Sequence, residues 1–350
     1  MDIIFSVAGG LRDSDFGKLI DPLHAVIQKE SDLLEKRLHL VDHLFNVEKS
    51  SHYAETYETT SGLGEFQAVA EGGEPETDGS EITGKKVVEN IEFMKRTVTT
   101  MKAMEDAHMK ISPEMKRGLR QFVGQYYQTR DRIASVALSN GESKSVMINK
   151  ALVDLTTYDG LPLYHKAHKW GGKKKNGTQG NLFYLADGPE ALASIEYMED
   201  VFNEGSGRIR NFLDENGNPI GYSADIVRIP GNRLKLEKHL RKLLGSEYAG
   251  AVENATINTQ SGRYHLFVDP YWISDKDVID LYSKDANEAL LGNVFQNRSK
   301  LMVKTKEDNG FNLAHIARCR FGVGFPNYKH TCRIYLLEKD ATMATAEKLG

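Results

Sequence analysis

Residues 53–84, YAETYETTSGLGEFQAVAEGGEPETDGSEITG, decide how the rest of the chain is organised. Eight carboxylates lie here (Glu55, Glu58, Glu65, Glu71, Glu74, Glu76, Asp78 and Glu81), with six glycines and no lysine or arginine. A segment so charged and so flexible buries too little apolar surface to offset its own ordering entropy. Helical patterns on either side make it an insertion into a folded chain rather than a frayed end. Its apolar residues still keep a rhythm. Leu63, Phe66, Val69, Ile82, Val87, Ile91 and Phe93 are spaced like the half-apolar arms of a long β-hairpin. A projecting two-stranded hairpin is marginal alone and needs a surface to lie on. The surface this predicts is another copy of the chain, so the sequence describes an assembly subunit.

Before the hairpin, residues 1 to about 20 lack helical periodicity and predict an extended arm. Asp21-Pro22 then supplies an N-cap and a first-turn proline, and Leu23, Val26, Ile27, Leu34, Leu38, Val41 and Phe45 predict an amphipathic helix to about residue 46. After it, Ser112-Pro113-Glu114 opens a helix whose face is Met115, Leu119, Phe122, Val123, Tyr126, Ile133 and Ala137, stopped by Asn140-Gly141. At 1.5 Å per residue it is about 40 Å long, with Gly118 and Gly124 as positions for a bend. A third helix is expected from Asp187, with Pro189 and Glu190 in its first turn, to about Glu204. Asp225 to Ile229 predicts a buried strand ended by Pro230-Gly231, and Leu234 to Leu244 a helix stopped by Gly245. From Arg263 on, RYHLFVD, KDVIDLYS, FQNRSKLMVKT, LAHIARCRFGVGF and HTCRIYLL read as strands.

Composition narrows the function. With 350 residues, 40% apolar and 27% charged, this is the profile of an ordinary soluble globular protein, of two or three modest domains or one large elaborated one. No run approaches the roughly 18 apolar residues that span a membrane, and MDIIFSVAGGLRDSDF has no basic stretch that would read as a secretory signal. A net charge of −4 argues against a dedicated nucleic-acid binder. Cys319 and Cys332 give no disulfide framework and suit a reducing compartment. If Phe325-Pro326-Asn327 is a hairpin turn, the two cysteines fall opposite each other, as packed free thiols. No serine-nucleophile elbow, phosphate loop or zinc-protease motif occurs. His165 and His168 are three apart, but Pro162 and Gly171-Gly172 place them in a loop, where a structural role is expected and no metal or other cofactor is called for.

Gly62 to Gly73, Asp159 to Leu182 and Ile226 to Leu234 are three local stretches that, in this order, resemble the major capsid protein of tailed bacteriophages, whose fold is named after phage Hong Kong 97. In the middle region the chain looks most like the Mu-type head subunits. Gly62-Leu63-Gly64-Glu65-Phe66 to Val69-Ala70-Glu71-Gly72-Gly73 is similar to the start of the family's extended loop. Asp159-Gly160-Leu161-Pro162-Leu163-Tyr164-His165, with His168 and Asn181-Leu182, resembles its "DG.PLF…H…NL" stretch. Ile226 to Leu234 resembles its strand-to-helix turn. A lysine-glycine insertion, Lys169 to Gly180, departs from the family. The resemblance implies an α+β Hong Kong 97-like capsid fold. Its parts would be an N-terminal arm and helix (1–52), an extended-loop hairpin (53–104), a spine helix of the peripheral domain (105–144), a mainly axial domain (145–270) and C-terminal strands returning to the peripheral domain (271–350).

It further implies a homo-oligomer of hexamers and pentamers enclosing double-stranded DNA, touched without sequence preference. Portal and scaffolding proteins would be assembly partners, a decoration protein a further one, and no membrane would be involved. Some relatives crosslink subunits through a lysine, for which Lys85 and Lys86 are the nearby residues. An encapsulin-type shell around cargo enzymes is the alternative within the fold, and a cytosolic metal-dependent hydrolase using His165 and His168 the alternative outside it. The contact candidates are Phe66, Glu71, Glu74 and Glu76 on the acidic arm and Lys169, Lys173, Lys174 and Lys175 on a basic loop. That loop could meet nucleic acid, a neighbour's acidic arm, or solvent alone.

Overall fold

A 27-residue helix, α3 (Pro113–Ser139), runs through the fold as the sequence predicts, and two sheets are built against it. The computed structural model describes residues 3–7, 17–37, 39–61, 68–69, 74, 79–100, 102–103, 113–171, 176–185, 194–245, 248–249, 256–308 and 312–337. Among these, no helix is long and apolar enough to cross a membrane.

The first sheet has the strand order Ile4–Val7, Val294–Asp308, Asn312–Gly324, Ile91–Thr99, with Asn46–Lys49 also paired to the second of these. The two long central strands are antiparallel, and residues of alternate parity (Leu301, Val303, Leu313, Ala317, Cys319, Phe321) turn inward onto α3 and two N-terminal helices. The second sheet runs Leu182–Leu185, Thr331–Leu336, Asp277–Tyr282, Ile226–Pro230, His265–Asp269. It is buried on both faces. Val227, Ile229, Ile279, Leu281 and Ile334 pack against helices α4 (Ile195–Asn211) and α5 (Leu234–Gly245). The opposite face meets the C-terminal end of α3 through charge. Arg228 binds Asp269 at 2.7 Å and Asp280 at 3.0 Å, and Arg333 binds Asp280 at 2.6 Å and Glu142 at 3.0 Å. Both guanidiniums also donate to α3, at Ser135, Ser139 and the Leu138 carbonyl. Buried ions survive only when paired and fully hydrogen-bonded, which this network achieves.

Three expectations need correction. The first long helix starts at Gly17, not at Asp21, and holds Pro22 inside it. Burial of Leu19 and Ile20 with Leu23 and Ile27 outweighs the one backbone hydrogen bond that proline removes. It also stops at Glu35 instead of running to 46, because His39 folds back to bond the Leu34 carbonyl (2.7 Å) and Asp131 (3.0 Å); a short helix, Leu40–Leu44, follows. Helix α4 has Ser194 as its N-cap and continues past Glu204 to Asn211; residues 187–193 lie outside the described set. Gly205, just past the expected end, lies inside the helix. A Cβ there would come within 2.4 Å of Leu281 and 2.9 Å of Ile334, so glycine lets the helix lie directly on the sheet. Finally, Cys319 and Cys332 are not hairpin partners. They stand on different sheets, opposite Phe93 and Leu281, as buried free thiols.

Candidate assembly surface

The acidic segment does begin and end as a hairpin. Strands Ala54–Thr60 and Ile82–Glu89 pair antiparallel, closed distally by Ser61 N–H on the Glu81 carbonyl (2.8 Å). The root of the hairpin is fastened to its own chain. Asn90 donates to Ser50 (2.8 Å) and to the His52 carbonyl (2.9 Å), and Glu55 accepts from Ser50 (2.8 Å), which with the nearby backbone holds its carboxyl below the usual range. On the inward face, Lys86 is buried against Asp154 (2.6 Å) and Thr156 (2.9 Å). Burial lowers the Lys86 ammonium's pKa, and Asp154 offsets part of that. Val88 lies on Gly324, and the Glu89 carbonyl on Gly322; a Cβ at either glycine would approach within 2.3–2.4 Å. The arm therefore leaves the molecule across one end of the first sheet's outer face. Farther out, Asn216 donates to the Ser61 carbonyl (2.7 Å).

Of the predicted arm contacts, Glu74 is exposed; Phe66, Glu71 and Glu76 lie outside the described residues. Lys169 is exposed and its carbonyl accepts from Tyr158 and Tyr328, while Lys173, Lys174 and Lys175 are outside the described set. Of the two lysines near the loop, Lys85 is exposed and paired to Glu58 (2.6 Å), whereas Lys86 is enclosed as above.

Sequence reasoning missed the surface beside the arm. The first sheet's outer face carries Met94, Val98, Met302 and Ile4, exposed by 63%, 41%, 36% and 49%. Around them stand Arg96, Lys304, Lys306, Arg318 and Arg320 against two carboxylates, Glu92 and Asp308. Glu92 takes bonds from Arg318 (2.7 Å) and Arg320 (2.7 Å), which hold its carboxyl low; Arg96 pairs with Asp308. The alternation of apolar and basic residues in FQNRSKLMVKT and LAHIARCRFGVGF marked two-faced strands, but which face would stay open depended on pairings distant in sequence.

The region resembling "DG.PLF…H…NL" is a cross-braced turn. Gly160 has φ +75°, Thr157 N–H meets the Leu161 carbonyl (2.8 Å), and Asp159 accepts from Thr157 (2.6 Å), Leu161 N–H (3.1 Å) and Lys169 N–H (3.0 Å). His168 has one ring nitrogen on Asp159 (2.9 Å) and the other on the Leu163 carbonyl (3.2 Å), and stacks on Tyr328 at 3.8 Å. Burial would raise the Asp159 carboxyl, but the His168 contact and the hydrogen bonds from Thr157 and Lys169 N–H together outweigh it and keep the group well below its ordinary range. His165 accepts from Ala167 N–H (3.1 Å). These bonds occupy the histidines in holding the turn, and among the described residues no cluster of three or more His, Cys, Asp or Glu could hold a metal.

No protein-family model and no curated protein matches the sequence. The architecture does have counterparts among solved structures. The capsid of Myoviridae phage XM1 superposes with a TM-score of 0.52 at 9% identity, over 86% of this chain and 94% of that one. A virus-like particle from Pyrococcus furiosus gives 0.48 at 10% identity, over 90% and 99% of the two chains. The capsid of cyanophage P-SCSP1u gives 0.48 at 10%, over 86% and 88%. The first of these shows that the chain has the Hong Kong 97-like fold of a phage capsid subunit.

Proposed function

We propose that this chain is a major capsid protein that assembles, as hexamers and pentamers, into the icosahedral head of a tailed phage or prophage. The observation that carries the proposal is an end-to-end likeness to the phage XM1 capsid subunit, together with a long acidic hairpin that has no cation of its own between residues 53 and 84. In this reading the first sheet and α3 form the peripheral domain, and the second sheet with α4 and α5 the axial one. The distal arm, with Phe66, Glu71, Glu74 and Glu76, rests on a neighbour. The basic, methionine-bearing outer face of the neighbour's first sheet fits that chemistry, apolar to apolar and acid to base, and the Lys169–Lys175 loop is a second cationic candidate. Each arm orders as it binds, so ordering cost and contact energy arrive together. Many modest contacts then add up through multivalency. The work is structural and uses no catalytic group. Portal, scaffolding and decoration proteins are partners such a shell would take, and packaged DNA would be met through its phosphates.

Negative-stain microscopy of the full chain tests this. Closed shells with five- and six-fold clusters are expected, and particles from the native source should contain DNA in place of a protein cargo. A chain that stays monomeric at all concentrations and salts, with or without co-expressed scaffolding protein, overturns the proposal.

A further inference from the structure

Helices α4 and α5 share one apolar core, which fixes their inward faces through Met198, Val201, Phe202 and Ile209 on the first and Leu236, Leu240 and Leu243 on the second. Their outward faces are of opposite sign. On α4, Glu196, Asp200 and Glu204 recur at every fourth residue and are exposed. On α5, Lys235, Lys238 and Lys242 recur at three and four, also exposed. Like charges at these spacings weaken a helix, by a few tenths of a kcal/mol for each pair. The molecule does little to relieve them. Glu204 has Arg208 at 2.9 Å, but Glu196, Asp200, Lys235, Lys238 and Lys242 have no ion-pair partner among the described residues. Helix dipoles explain Glu196, in a first turn, and Lys242, in a last turn. They do not explain Asp200 in mid-helix, and they disfavour Lys235, which sits in the first turn of its helix.

Two stripes of opposite sign on one molecule, unpaired except at Glu204, are complementary between copies. Because the stripes are different surfaces, the contact is head to tail, the type that generates closed rings. We propose that the acidic face of α4 in one copy docks on the basic face of α5 in the next, and that this contact closes the ring of subunits within a capsomer. The inference rests on the shell reading and deepens it. Charge pairing of this kind sets register and partner choice more than raw affinity, and weakens once salt shortens the screening length to a few ångströms.

The test uses the full chain and two charge-reversed triples, E196K/D200K/E204K and K235E/K238E/K242E. Each alone should lower particle yield by about tenfold or more at low salt, while the two triples mixed in one solution regain six-fold rings of alternating subunits, in which every contact again pairs opposite charges, and the six-fold combination recovers assembly. A neutral variant with glutamine at all six positions should assemble with a weakened salt dependence, which covers the case in which a reversed helix fails to fold. Circular dichroism and melting temperature establish folding throughout. Wild-type assembly with either folded triple equally productive, or a folded six-fold variant that fails to recover, overturns this contact and leaves the shell reading standing. Wild type that never assembles removes both.

Discussion

His315 lies under the first sheet with one ring nitrogen on the Thr305 hydroxyl (3.0 Å), which also contacts His24 (2.9 Å); its other nitrogen is buried without a hydrogen-bond partner. Burial, and then the neighbouring His24, push its pKa down to about 4. His330, wholly enclosed, is pushed down to about 3 by burial. A folded-state pKa below the unfolded value means that the unfolded chain binds the proton first. Stability is therefore full above the unfolded value near 6.5 and falls as the pH drops toward 4. His315 alone accounts for about 3 kcal/mol of loss by pH 4, at 1.36 kcal/mol per pKa unit. His39 works in the other direction. Its hydrogen bond to Asp131 raises its pKa, so its contribution is present at low pH and fades as pH rises through the folded value. The expected balance is acid lability, with the urea midpoint lower at pH 4.5 than at pH 7. His315→Gln should flatten that dependence by roughly one proton's worth between the two pH values. An unchanged pH slope in this variant would show that His315 does not titrate as its surroundings require.

At the scale of elements, the arm's direction is set by two glycines that let its root lie on the sheet. In Gly322→Val the new Cβ would stand 2.4 Å from the Glu89 carbonyl oxygen, a backbone atom that cannot rotate away. Overpacking of this kind costs about 1–3 kcal/mol, and here the strain falls on the hairpin root. The variant should keep its far-UV spectrum, melt several degrees lower and assemble poorly; a wild-type melting temperature would mean the root is not held at this point. The sequence showed that glycines were there but not why. Much else was legible. The 3.6-residue rhythm gave Pro113–Ser139 to the residue, and alternation gave every long C-terminal strand. What stayed hidden was decided by contacts distant along the chain. Burial of Leu19 and Ile20 extends a helix through Pro22's neighbourhood, His39 ends it by reaching Asp131, and Gly205 serves close packing on Leu281. The candidate site divides in the same way. Local composition announced the acidic arm, whereas the basic outer face facing solvent beside it exists only after Ile91–Thr99 pairs with Asn312–Gly324.

For the whole molecule, the decisive property is that folding and assembly should separate. Among the described residues neither core draws on the distal arm: α3 and the first sheet make one, the second sheet with α4 and α5 the other, and the Arg228–Asp280–Arg333 network joins them. The hairpin root, too, is complete by Ser61 and Glu81, which bond across the strands through Ser61 N–H to the Glu81 carbonyl (2.8 Å) and Glu81 N–H to the Ser61 hydroxyl (2.9 Å). Those ends are close enough for an Asn-Gly turn to replace residues 62–80, since two-residue turns of that type suit antiparallel strands. The shortened chain should fold with a melting temperature within about 3 °C of the full chain, because the described residues it loses (68, 69, 74, 79 and 80) are all exposed. It should nevertheless remain a monomer or a small ring under conditions in which the full chain makes shells, for it has lost the limb that the proposed assembly rests on a neighbour. Sedimentation velocity and negative-stain images of the two chains side by side measure this. Shells of normal size from the shortened chain would remove the acidic arm from assembly, and a shortened chain that cannot fold would mean the arm belongs to the core of its own subunit.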